Sequence, residues 1–225
     1  GNNSRATPIQ CREEKRAQEA PTLTFLAVAC IFQILLDRKY ITEDSAYSDI
    51  FLKSPLQVLR EVLFYLALFD QCSCGPTLQN EFVRKRSHFQ SSEVCHFLHK
   101  QCSGEHKHLN LRGEGLAAAA ALYPDPECEL ILQEAQLQTG AREGGRSLLS
   151  NGTSVGTFVK MSWDEKIRNL YSIACKKGFA QLWDKVVQPW LSANSTGEWS
   201  SQAPRPIAAA VDAVSPDWVQ DILFD

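Results

Sequence analysis

The chain has no run of alternating apolar and polar residues long enough to read as a half-buried strand, and no Asn-Gly turn joins two β-rich runs. That absence argues against a β-sandwich or barrel. It also has no repeat of fixed period, which removes any regular repeat architecture recognisable from one sequence. Enzyme signatures are missing too: no G-x-G-x-x-G, no P-loop, no H-E-x-x-H and no G-x-S-x-G. The acidic residues are scattered, so no carboxylate pair stands out for acid–base work. No charge of one sign dominates. The net charge of −3 over 225 residues points to neither nucleic acid nor a membrane surface.

Long hydrophobic runs are also lacking. The most extended, Leu23 to Leu36, is interrupted only by Thr24 and Gln33, but at 14 residues it falls short of a bilayer span. Arg12, Lys15 and Arg16 precede it as in a signal peptide, yet Asp37-Arg38-Lys39 follows in place of a small-residue cleavage site. It reads as a buried helix over 22–38, opened by Pro21, and no membrane span is expected. The chain opens on Gly1 with no initiator Met, as a processed piece would.

What is present reads as helix. Val62 to Phe69 is eight apolar residues in a row, and Ser54, Pro55 and Gln57 upstream match a helix start. A helix over 55–70 that is apolar on every side must be surrounded by others, which makes it the expected centre of the fold. Shorter helices are expected over about 43–53, 78–88 and 92–101, a further one in the alanine run 117–121, and one from Pro126 to Thr139. Ser162-Trp163-Asp164-Glu165 is a capping box, and Lys176-Lys177-Gly178 closes the helix it opens. Phe179 to Trp190 continues at helical spacing, and Ser215-Pro216 starts a last short helix.

The expected architecture is therefore all-α: an irregular helical bundle or short α-solenoid of about eight to ten helices. It divides into an N-terminal polar segment 1–21, a helical core 22–139, a glycine-rich mobile loop 140–160, and C-terminal helices 161–225 packing on the core.

Eight cysteines and three N-x-S/T sequons, at Asn2, Asn151 and Asn194, fit a secreted disulfide protein. Cys30 and Cys175 nevertheless sit inside apolar helical patterns, and a chain of this size needs no staples. The expectation is an intracellular protein, nuclear or cytoplasmic, with reduced thiols.

Four places can carry function. All five histidines lie between residues 88 and 108, and Cys72, Cys74, Cys95, His99 and Cys102 form a candidate zinc set. Cys95, His99 and Cys102 would share one helical face, and His106 and His108 follow on a loop. The Cys-x-Cys spacing is tighter than a zinc knuckle, so a buried apolar face with solvated histidines explains the same residues. Second, Arg84, Lys85, Arg86, Lys100, Lys107 and Arg112 are opposed only by Glu93 and Glu105, a basic stretch suited to nucleic acid. Third, Trp218, Val219, Ile222, Leu223 and Phe224 form a short acidic amphipathic segment suited to a partner's groove. Fourth, Trp183 and Trp190 lie seven apart on one helical face, either core-facing or at an interface.

The sequence therefore favours a non-enzymatic protein–protein interaction module or scaffold subunit of a larger complex, with another protein as partner. The alternatives are a nucleic-acid-associated helical domain using 84–112 and an enzyme of unrecognised family. No cofactor is expected beyond the possible zinc.

Overall fold

A computed structural model describes residues 8–46, 48–62, 64–75, 77–78, 81–83, 85–109, 123–140 and 148–194. The expected helices over 117–121 and 216–224 lie outside the described residues. The chain divides into two compact units, 1–141 and 142–225, with the boundary inside the glycine-rich stretch.

The first unit overturns the all-α expectation: the fold is mixed α/β, with two small sheets among its helices. The chain enters through α1, Ile9–Leu35, which runs unbroken through Pro21. Its N-terminal half is exposed and polar; its C-terminal half buries Ala27, Val28, Cys30, Ile31, Ile34 and Leu35. By length and composition α1 is long and apolar enough to cross a membrane. In the fold it packs on the turn formed by Pro55–Glu61. Asp37 ends it in the left-handed region at φ 58°, which a short polar side chain tolerates.

The expected central helix over 55–70 is a 3-10 helix, Pro55–Glu61, followed by a strand, β2, Tyr65–Asp70. Ser54 does cap the start, accepting from the Leu56 amide at 3.1 Å. A short apolar run suits a buried strand as well as a buried helix, and the run Phe64-Tyr65-Leu66-Ala67-Leu68-Phe69 carries two aromatics before Phe69. The helix expected at 43–53 is strand β1, Ile41–Ser45, and a single turn, α2, Ile50–Lys53. The helix expected at 78–88 is β3, Thr77–Leu78, β4, Glu81–Val83, and the start of β5, Arg86–Ser91. Residues 92–101 form no helix.

Strands β1, β5 and β2 make an antiparallel sheet in that order. Strand β6, His108–Leu109, pairs parallel with β4, and β3 pairs antiparallel with β4, in a second small sheet. The first sheet and the loop after it supply a core of Ala67, Phe69, Phe89, Cys95 and Leu98, with Phe69 and Phe89 edge-to-face at 5.8 Å.

Helix α3, Asp125–Gly140, packs Leu130 and Ile131 on that core. Its register also buries two carboxylates, Glu127 and Glu134, on the same face. Glu134 accepts from the His96 and Phe97 amides at 2.6 and 2.7 Å, which compensates its burial. Glu127 has no such bond at either oxygen.

The second unit is helical among its described residues. Helix α4, Val155–Lys160, lies inside the stretch expected to be a mobile loop. The capping box at Ser162 and Glu165 opens α5, Trp163–Lys176, and Gly178 follows it at φ 79°. The tryptophan-bearing stretch is α6, Ala180–Leu182, a π turn, Trp183–Val187, and α7, Gln188–Asn194. The widened turn ends two residues before Pro189, which has no N–H to give to the carbonyl four residues back. No disulfide joins any described cysteine.

The orphaned carboxylate of α3 yields a pH prediction. Burial pushes the Glu127 carboxyl up to about 7; the neighbouring Gln71 amide and Lys85 ammonium only partly offset this, and Glu43 adds to it. Tyr123 donates to Glu43, and Lys85 sits over the Tyr123 ring at 4.3 Å. The folded value lies above the ordinary one of 4.5, so the group's stabilisation is complete below that pH and lost as pH rises to about 7. Glu127→Gln should therefore be near neutral at pH 4 and more stable than the parent at pH 8. Urea unfolding should show a gain on the order of 1–3 kcal/mol there.

Candidate metal centre

Four side chains of the first unit converge: Cys72, Cys102, His106 and His108, with one donor atom from each, all within 4.8 Å of one another. Each arrives on a different piece of backbone. Cys72 follows β2 on the 3-10 turn Gln71–Cys74, which ends at Gly75 with φ 82° and a bond from the Gly75 amide to the Cys72 carbonyl. The αL end demands a residue without a Cβ penalty, and glycine supplies it.

Cys102 is placed by Asp70. The Asp70 amide donates to the Lys100 carbonyl at 2.8 Å, and Phe69 and Lys100 form a parallel bridge. The Asp70 carboxylate then accepts from the Cys102 amide at 2.9 Å. It is itself fully buried and held by both nitrogens of an Arg86 fork, each at 2.7 Å. A fork of this kind fixes orientation as well as charge.

Gly104, at φ 81°, turns the chain back, and its amide donates to the Cys102 sulfur at 3.2 Å. His106 stacks on Phe82 with ring centroids 4.0 Å apart. His108 begins β6, opposite Phe82 of β4 in the parallel register. The Phe82 amide also donates to the carbonyl of Lys107, between the two histidines.

The separations fit a tetrahedral ion. The Cys102 sulfur lies 3.6 Å from Nε2 of His106 and 3.4 Å from Nε2 of His108. A tetrahedron with Zn–S of about 2.3 Å and Zn–N of about 2.0 Å has a sulfur–nitrogen edge of roughly 3.5 Å. Two thiolates neutralise a divalent charge, which suits a centre whose Cys72 is buried and whose other ligands are half-buried. Sulfur and imidazole donors select zinc over magnesium or calcium. Four protein ligands complete the shell and leave no position for a reacting water.

Two of the five residues proposed from sequence, Cys72 and Cys102, are in this centre. The other three are elsewhere. Cys74 packs against the Phe69–Phe89 core, Cys95 is buried with its sulfur 3.2 Å from the Ser91 hydroxyl, and His99 is exposed. The shared helical face imagined for Cys95, His99 and Cys102 does not exist, because no helix forms there. The missed ligands His106 and His108 had a signal: Cys102-x3-His106-x-His108 is a compact local set.

The basic stretch is described in part, and two of its cations are paired with acids. Arg86 is spent on Asp70, Lys85 lies 3.9 Å from Glu43, and Lys100 and Lys107 are exposed; Arg84 and Arg112 lie outside the described residues. In the second unit Trp183 is buried, its ring 5.6 Å from Tyr171, while Trp190 is half-buried. Trp218, Val219, Ile222, Leu223 and Phe224 lie outside the described residues.

Comparison of the chain with protein-family models, with curated proteins and with solved structures finds no match.

If Asp70 aims Cys102, its charge matters to the metal. Asp70→Asn should weaken zinc binding about tenfold, the scale of lost support behind a metal ligand. Competition against a chromogenic chelator measures it.

Proposed function

We propose that this chain is a non-enzymatic protein–protein interaction module whose first unit is held together by one structural zinc ion. The observation that carries the reading is the closed donor set Cys72, Cys102, His106 and His108. A site filled by four protein ligands contributes folding energy rather than catalysis. It stands where the first unit most needs it. The second sheet rests on strands of two or three residues, too short to persist on ladder bonds alone.

Open surface supports the interaction part of the proposal. β2 is an edge strand, and Tyr65 and Leu66 at its start are 42% and 47% exposed. Among the described residues the outer edge of β2 is met only near its end, by Lys100, and exposed apolar side chains at the start of such an edge are a common way to receive another chain. The loop against α3 adds Val94 and Phe97, both also exposed. Nucleic-acid binding through 84–112 is the weaker reading, since Lys85 and Arg86 are committed to internal acids.

The purified chain should contain one zinc per molecule by elemental analysis. Chelation should lower the melting temperature of the first unit by several degrees, and added zinc should restore it. His108→Ala should abolish the stoichiometric zinc. A preparation free of zinc, indifferent to chelator and to added metal, overturns the reading. The interaction half is checked by Leu66→Glu, which should cut cross-linking to partner proteins in cells while leaving the melting temperature within about 1 °C, as expected of an exposed position.

A further inference from the structure

We propose that the zinc centre is also a peroxide-sensitive switch, in which Cys102 and Cys72 form a disulfide and the histidine arm is released. The inference rests on the zinc reading above and adds a modification site to it.

The two sulfurs differ in access but not in reach. Cys72 is 2% exposed, whereas Cys102 is half-buried and borders Ser103, Gly104 and Glu105, all exposed. An oxidant from solvent therefore meets Cys102 first. Zinc binds cysteine as the thiolate, the reactive form, and the exposed Gly104 leaves the Cys102 sulfur approachable from the loop side, with its amide 3.2 Å from that sulfur. The Cys72 sulfur is within 4.8 Å of that of Cys102, close enough to attack once Cys102 is oxidised. Of the nearest competitors in sequence, Cys95 is buried in the Phe69–Phe89 core and Cys74 packs against it, outside the four-residue cluster.

The chemistry balances with one hydrogen peroxide. The Cys102 thiolate attacks a peroxide oxygen, the O–O bond breaks, and hydroxide leaves, giving a sulfenic acid at Cys102. The Cys72 thiolate then attacks that sulfur and expels a second hydroxide. The thiolate pair has lost two electrons to the peroxide, solvent protons convert both hydroxides to water, and the disulfide forms. With both thiolates gone, zinc leaves His106 and His108.

The consequence is uneven, and the topology dictates it. A Cys72–Cys102 bond joins the same two strands of chain that zinc joined, the end of β2 and the segment held by Asp70. The first sheet therefore keeps its cross-link. His106 and His108 lose the metal and are left with weaker contacts, among them the Phe82 stack, their own edge-to-face contact at 4.7 Å and the two-residue pairing of β6 with β4. Residues 103–109 thus lose their metal anchor and open more readily, while the link between residues 72 and 102 stays closed.

The test uses the full zinc-loaded chain, titrated with hydrogen peroxide. Released zinc is read with a chromogenic chelator, disulfides by non-reducing peptide mapping, and backbone opening by hydrogen exchange. One equivalent of peroxide should release one zinc and yield a Cys72–Cys102 peptide, and a thiol reductant with added zinc should reverse both. Exchange in 103–109 should speed up roughly tenfold while 65–70 and 86–91 stay protected. Cys74→Ala should behave as the parent. Zinc retained under tenfold excess peroxide, or a disulfide through any other cysteine, overturns the switch but leaves the structural zinc standing. A chain that never held zinc overturns both.

Discussion

The first unit depends on one buried ion pair. Asp70 lies at the junction of β2 with the metal-bearing turn, and its backbone and carboxylate do different jobs. The amide ties β2 to Lys100, and the carboxylate binds Arg86 of β5 and the Cys102 amide. A buried carboxylate without partners would cost several kcal/mol. Here three donors meet it, so the cost of burying the charge is turned into geometry. The order of the first sheet, the path of residues 100–102 and the position of one metal ligand all follow from that carboxylate.

The two acids of α3 show the same rule met and unmet. Glu134 is received by two successive backbone amides, and the loop at His96 and Phe97 is fixed by it. Glu127, seven residues earlier on the same face, is equally buried but reaches no donor. One part of the helix is therefore pinned by a strong polar contact, and the other is buried at lower cost with its carboxyl protonated. Helix docking here is decided by polar satisfaction as much as by Leu130 and Ile131.

Legibility followed the same division. The second unit was readable because it obeys local rules: the capping box at Ser162, the apolar spacing through Ala174 and the glycine at 178 each specify helix without help from elsewhere. The first unit was not, because its strands carry the wrong labels. β1 reads Ile-Thr-Glu-Asp-Ser and β5 reads Arg-Ser-His-Phe-Gln-Ser, yet Ser87, Gln90 and Ser91 are buried. Polar residues inside a sheet leave no period-two signal, and without one the apolar run 62–69 reads as a helix. The zinc set was half legible. Cys102, His106 and His108 are neighbours in sequence, but the fourth ligand comes from 30 positions upstream, and only the tertiary path through Asp70 selects Cys72 over Cys74.

The placement of the aromatic indoles has a practical consequence. All five tryptophans, 163, 183, 190, 199 and 218, fall in the second unit and none in the first. Trp183 is enclosed beside Tyr171, so its emission colour reports whether that helical half is folded. A cobalt ion placed between Cys72, Cys102, His106 and His108 would absorb visible light and report on the other half. One cuvette thus carries two spectroscopic channels, one for each half. Melting curves that coincide would reveal thermodynamic linkage between the halves, and curves that separate would reveal independent folding.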